Sequence, residues 1–143
     1  MISRRSLLAS ALGALALLHV PGGHAADDVV VIIHKDNPHV IDKDYVIGIY
    51  TGRTKGWPDG SPVFPIDQGE SSTARTAFYD SVIGRSQRNM QALWAQNIFS
   101  GKGLPPKLAT PDAEMKHIVS TNRNAIGYIR ASELDSSVKV LLR

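Results

Sequence analysis

The chain has 143 residues, with 16 lysines and arginines, 13 aspartates and glutamates and no cysteine. One core of ordinary size fits that length, and a disulfide framework is excluded. The surplus of +3 comes with no run of basic residues interleaved with aromatics, so nucleic acid is not an expected partner.

Arg4 and Arg5 precede an apolar run from Leu7 to Val20, which Pro21-Gly22-Gly23 breaks. The run is shorter than the ~20 residues of a spanning helix. Gly23-His24-Ala25 then offers small residues before a cut. The pattern predicts a signal peptide over residues 1–25, cleaved near Ala25, and a periplasmic or secreted mature protein. Ser3-Arg4-Arg5-Ser6-Leu7-Leu8 also resembles a twin-arginine signal, so both the general and the twin-arginine routes stay open. Cleavage removes two of the 16 basic residues and none of the 13 acidic ones, which leaves a net charge of +1. No membrane contact is expected after removal. Residues 26–143 read as a single domain without repeat or linker.

Val29 to His34 is β-branched and apolar on both faces, the pattern of a strand buried within an α/β sheet. His34 and His39 flank the turn that ends it, without a third ligand at useful spacing, so no metal site is expected. Asp42 opens a helix over Lys43–Tyr50, with Val46, Ile49 and Tyr50 on one face and Thr51-Gly52 as its stop. Trp57-Pro58-Asp59-Gly60 reads as a tight turn, with Trp57 as a lid on the core. A strand from Pro62 to Ile66 follows.

That strand runs into Asp67-Gln68-Gly69-Glu70-Ser71-Ser72-Thr73, and a helix opens there. Free N–H groups and the positive end of a helix dipole meet at such a junction, and three consecutive hydroxyls add donors. Ser71, Ser72 and Thr73 are therefore the candidate ligand residues, with an N-cap as the plainer role for Ser71 or Ser72. Ala74, Ala77, Phe78 and Val82 carry the helix to Gly84. Arg75 in its first turn opposes the dipole unless it meets an anion or a carboxylate, which hints at function; the plainer reading is a solvated arginine, paired with Asp80 or Glu70.

Ser86 caps a longer helix to about Phe99, with Met90, Leu93, Trp94 and Ile98 as an apolar stripe read as core. Gly101 to Pro106 is loop. Thr110-Pro111-Asp112 reads as a helix start with Thr110 as cap, and Met115, Ile118 and Val119 give that helix its buried side. Ala125–Ile129 is a short strand in which Gly127 suggests a close backbone approach. A brief turn near Ser132–Leu134 precedes a last strand, Val138–Leu142. The expected fold class is α/β, a mixed β-sheet flanked by helices.

Several stretches together resemble the phosphate-binding proteins of bacterial phosphate ABC transporters, a family of type 2 periplasmic binding proteins. They are Val31 to Pro38, Ile49 to Arg53 with Trp57 to Gly60, Ser71 to Thr73 leading to Phe78, and Ala125 to Ile129. They come in the family's order and cover nearly all of the mature chain. Full-length members hold phosphate between two lobes, and the resemblance covers the second. It implies a single lobe bounded by the two crossover strands, here Val29–His34 and Val138–Leu142. It also implies an ABC-transporter-like binding module that takes a small, phosphate-like anion at Ser71–Thr73. Ser71 and Thr73 match the family's Ser-Gly-Thr, Ser72 replaces the glycine, and Asp67 stands where the family carries arginine. Two unit charges ~4 Å apart repel by about 4 kcal/mol at an effective dielectric of 20. That is much of the ~4–8 kcal/mol of a millimolar-to-micromolar affinity. Weak or altered anion binding is the expectation.

The alternative function is a protein-interaction or scaffold domain that has lost ligand binding, pairing with itself or another chain through the open cleft face. A hydrolase using Ser71 or Ser72 would need a base and an oxyanion hole. The G-x-S-x-G elbow is absent and no histidine lies near in sequence. The reading is a non-enzyme without cofactor.

Overall fold

A computed structural model describes residues 28–143. The expected signal peptide lies outside the described residues. Strand β1 (Val29–His34) is followed by helix α1 (Lys43–Tyr50), strand β2 (Phe64–Asp67) and helix α2 (Thr73–Phe78). A π-helical turn (Tyr79–Ile83) extends α2 to Gly84, which closes it at φ 72°. Helix α3 (Gln87–Phe99), strand β3 (Lys107–Leu108), helix α4 (Asp112–Thr121), strand β4 (Ala125–Arg130), a 3-10 turn (Ala131–Glu133) and strand β5 (Val138–Leu142) complete the order.

The five strands form one mixed sheet in the order β3-β2-β4-β1-β5. β2 runs parallel to β3 and β4, while β1 is antiparallel to β4 and β5. The expected pairing of Val29–His34 with Val138–Leu142 in one sheet is what the fold contains. The two-faced apolar pattern of β1 has a direct cause. Val29, Val31 and Ile33 point into a cluster with α1, α2, the π-turn and Met90, whereas Val30 and Ile32 point into a second cluster with α4. Helices thus cover both faces of the sheet, as alternation in a buried strand requires.

Local rules hold at most boundaries. Asp42 accepts from Tyr45 N at 2.8 Å and caps α1, and Ser86 accepts from Asn89 N at 3.1 Å and caps α3. Gly127 lies under α4, and a Cβ there would sit 2.4 Å from Met115 Sδ, so the close approach is real. Trp57 is buried and donates to Asn124 O.

Three expectations need correction, and one element is new. β2 begins at Phe64 rather than Pro62, because Val63 N bonds Lys55 O while Phe64 N reaches Asn124 O and enters the ladder. The two-residue edge strand β3 is too short to leave a period in the sequence. The stripe of α3 is mostly not core: only Met90 is buried, and Ile98 is half exposed. Thr110 does not cap α4. The Thr110–Pro111 peptide is cis, Pro111 is the capping position without a side-chain bond, and the Thr110 hydroxyl turns to Gly69 instead.

Candidate functional site

The loop between β2 and α2 meets the start of α4 at the carboxyl ends of β2 and β4. Gln68 joins the pieces. It is buried, its Nε2 donates to Asp112 Oδ1 at 2.7 Å and to Tyr128 O at 3.1 Å, and its Oε1 accepts from Ser72 Oγ at 2.6 Å. The Ser72 oxygen in turn accepts from Arg75 N at 3.2 Å, so Ser72 is the N-cap of α2. Gly69 N donates to Thr110 Oγ1 at 2.8 Å and ties the loop to the approach of α4.

These contacts leave an open groove of about 250 Å³ above the loop. Ser71, Ser72, Thr73, Thr110, Asp112 and Arg130 are among its lining residues. The Ser71 and Thr73 side chains are exposed, whereas Ser72 is partly covered and already engaged at both ends. Asp112 is buried and accepts from Arg130 Nε at 3.0 Å. One carboxylate and one guanidinium therefore offset each other at the groove, and the hydroxyls supply the remaining donors. No histidine lines the groove, so neither serine has a base beside it. His34 Nδ1 accepts from Asp36 N, and His39 stacks on Trp57 at 5.1 Å. Among the described residues no group of three or more His, Cys, Asp or Glu is placed to hold a metal.

Asp67 does not line this groove. It is buried, at the floor of a second groove of about 360 Å³ that it lines with Glu70, Arg75 and Tyr79. Asp67 Oδ2 accepts from Tyr79 Oη at 2.5 Å, while Oδ1 accepts from Tyr128 Oη and from Gln68 N at 2.8 Å. Burial first, and the Asp67 charge second, push the hydroxyls of Tyr79 and Tyr128 well above the ordinary tyrosine value. The Tyr128 ring stacks on Phe78 with centroids 4.0 Å apart, which fixes this cage of hydrogen bonds to α2.

Arg75 is likewise not solvated. It is 7% exposed, donates from Nη1 to Gln68 O at 2.9 Å, and lies 5.0 Å over the Tyr79 ring. Its Nε is buried, has no hydrogen-bond partner, and stands 4.0 Å from Asp67 Oδ2. The first turn of α2 packs against the end of β2, which carries Arg75 inward to Asp67 rather than out to Asp80 or Glu70. Sequence reasoning missed Gln68, Thr110, Asp112 and Arg130 as groove residues. The salt bridge to Asp112 spans α4 and β4, and no local pattern announces it.

No protein-family model matches the chain, and no curated protein does. Solved structures do. One is described as a phosphate ABC transporter substrate-binding protein with bound phosphate from Clostridium perfringens, at TM-score 0.65 and 24% identity. Another is an ABC-type phosphate transport receptor from Vibrio cholerae, at TM-score 0.62 and 21% identity. A third is PstS from Borrelia burgdorferi, at TM-score 0.60 and 14% identity. Each match covers 80% of this chain but only 44%, 45% and 46% of those chains respectively. At these identities the likeness is one of fold: the described residues form a periplasmic-binding-protein-like α/β sheet, spanning less than half the length of the proteins it matches.

Proposed function

We propose that the chain is an exported binding-protein-like module that holds a small oxyanion, phosphate-like in size, weakly in the groove at Ser71–Thr73. The observation that carries this reading is the position of the groove. It lies at the carboxyl ends of two parallel strands, where α2 and α4 begin, which is where open α/β sheets bind ligands. Exposed hydroxyls at Ser71 and Thr73, with Arg130 beside them, supply donors suited to an oxyanion. The solved structures of the same fold include one with phosphate bound. Asp112 limits the affinity, because its carboxylate already occupies Arg130 and faces any incoming anion. Asp67 does not line this groove; it lies beside Arg75 and Tyr79 in the other one.

Calorimetric titration with inorganic phosphate at low salt tests the reading. Wild type should bind near millimolar, a scale of about 4 kcal/mol. Ser71→Ala should weaken binding a few-fold, and Arg130→Ala should remove it. Micromolar binding would contradict the weak site. Absence of any saturable heat would instead favour an interaction domain without ligand.

A further inference from the structure

Of the six large apolar side chains exposed among the described residues, Phe64, Ile98, Leu104 and Leu108 line two grooves beside the β3 edge, and Phe99 follows Ile98 at the end of α3. Phe99 is 94% exposed, Leu104 80%, Leu108 63%, Ile98 50% and Phe64 46%. Phe64, Leu104 and Leu108 line one groove beside the edge strand, and Ile98 and Leu108 line another with Pro105 and Pro106. A patch this rich in exposed apolar groups marks a contact surface.

The backbone holds the tip of the patch in place. Gly101 N bonds Ile98 O and Lys102 N bonds Asn97 O, which closes α3 with Gly101 at φ 73°. Lys55 Nζ then donates to Lys102 O at 2.7 Å and pins the loop that follows. Phe99 and Leu104 thus project from a fixed turn. Charge points the same way. Lys107 in the edge strand and Lys102 in the pinned loop are both exposed. Glu70 also lines the groove of Ile98 and Leu108, and accepts from Gln91 Nε2 at 2.6 Å.

We propose that this edge docks the protein on an anionic lipid surface, with Phe99 and Leu104 entering the headgroup layer and Lys102 and Lys107 against the lipid charge. A bound peptide would be expected to fill the two grooves, but Phe99, the most exposed of the set, lines neither. Projecting apolar side chains with cations beside them suit a lipid interface. The contact is peripheral: among the described residues no helix is long and apolar enough to cross a membrane. The sequence reading expects no membrane contact after residues 1–25 are removed, and this surface argues for one. The proposal is independent of the anion groove.

The test uses a chain beginning at Ala26, so that residues 1–25 contribute nothing. The residues from Asp28 onward hold the whole sheet and both apolar clusters, so this chain keeps its fold. Co-sedimentation with phosphatidylcholine vesicles is compared with and without about 30% phosphatidylglycerol, at low and high salt. Binding should need the anionic lipid and weaken with salt. Phe99→Ser with Leu104→Ser should lower it about tenfold or more, with the circular dichroism spectrum unchanged. Lys102→Glu with Lys107→Glu should remove the preference for anionic lipid. Phosphate affinity should be the same in all these variants. No binding to anionic vesicles, or binding that the Phe99/Leu104 variant retains in full, would overturn the proposal. Retention on immobilised polyglutamate without vesicle binding would also overturn it, in favour of an acidic protein partner.

Discussion

Replacing Asp67 with asparagine would keep the shape of the buried cage and remove its charge. In the wild type the Asp67 carboxylate accepts from two tyrosine hydroxyls and one backbone N–H, and stands 4.0 Å from Arg75 Nε. The substitution leaves the buried guanidinium without a counter-charge. Breaking a buried pair from one side costs about 3–5 kcal/mol. This pair is not hydrogen-bonded, which puts the loss at the lower end. The new amide also presents N–H₂ to one tyrosine that must now find another acceptor, at about 1–3 kcal/mol, partly counted already. Asp67→Asn should therefore lose about 3 kcal/mol, a large share of the ~5–15 kcal/mol of an ordinary domain. Urea unfolding followed by circular dichroism reads the loss as a fall in midpoint at unchanged slope. Arg75→Met in the same background should restore part of it, so that the two losses together are smaller than their sum by about 1 kcal/mol or more. An Asp67→Asn protein within about 0.5 kcal/mol of wild type would refute the cage. Asp67→Arg, which places two guanidinium groups in one enclosure, should unfold the chain rather than improve phosphate binding.

Gly127→Ala should cost about 1–3 kcal/mol in urea unfolding, because its methyl would meet Met115 Sδ at 2.4 Å and Val119 Cγ2 at 3.2 Å, and Met115→Ala should relieve part of the strain. Alkaline pH should unfold the protein. The buried Tyr50, Tyr79 and Tyr128 hydroxyls are all raised above 10.0, so their stabilisation is complete below that value and is lost as pH climbs from it toward their folded values. A pH titration of the urea midpoint should show a fall above about pH 10, shallower in Tyr128→Phe relative to its own neutral-pH midpoint; a flat profile would contradict the burial. Export predicts that mass spectrometry of the exported protein finds its N-terminus at Ala26, give or take a residue, and an intact Met1 in that fraction would overturn it.

Much of the fold was legible because neighbouring residues decide it. The two-faced apolar run of Val29 to His34 forces a buried strand, Asp42 and Ser86 cap the helices they precede, and Gly127 marks the place where α4 lies on β4. The candidate groove was legible only in its near half. Ser71, Ser72 and Thr73 are contiguous, but Asp112 and Arg130 reach it from elements that meet only in the folded sheet. The resemblance puts Asp67 at an anion-binding position, and no local pattern shows its partners Tyr79 and Tyr128, which lie 12 and 61 residues away. The stripe of α3 has the spacing of a buried face, yet only Met90 is buried, Trp94 packs half-covered against the same cluster, and Ile98 is half exposed. Periodicity tells which side of a helix is apolar, not whether another element covers it.

A backbone amide NMR titration with inorganic phosphate reads the weak oxyanion groove at the start of α2 residue by residue. The amide signals of Ser71 to Ala74, with those of Thr110 and Arg130, should move together and saturate near millimolar phosphate, a scale of about 4 kcal/mol. Signals that stay still there, or that move only around Lys102 and Lys107, would mean that the groove holds no oxyanion.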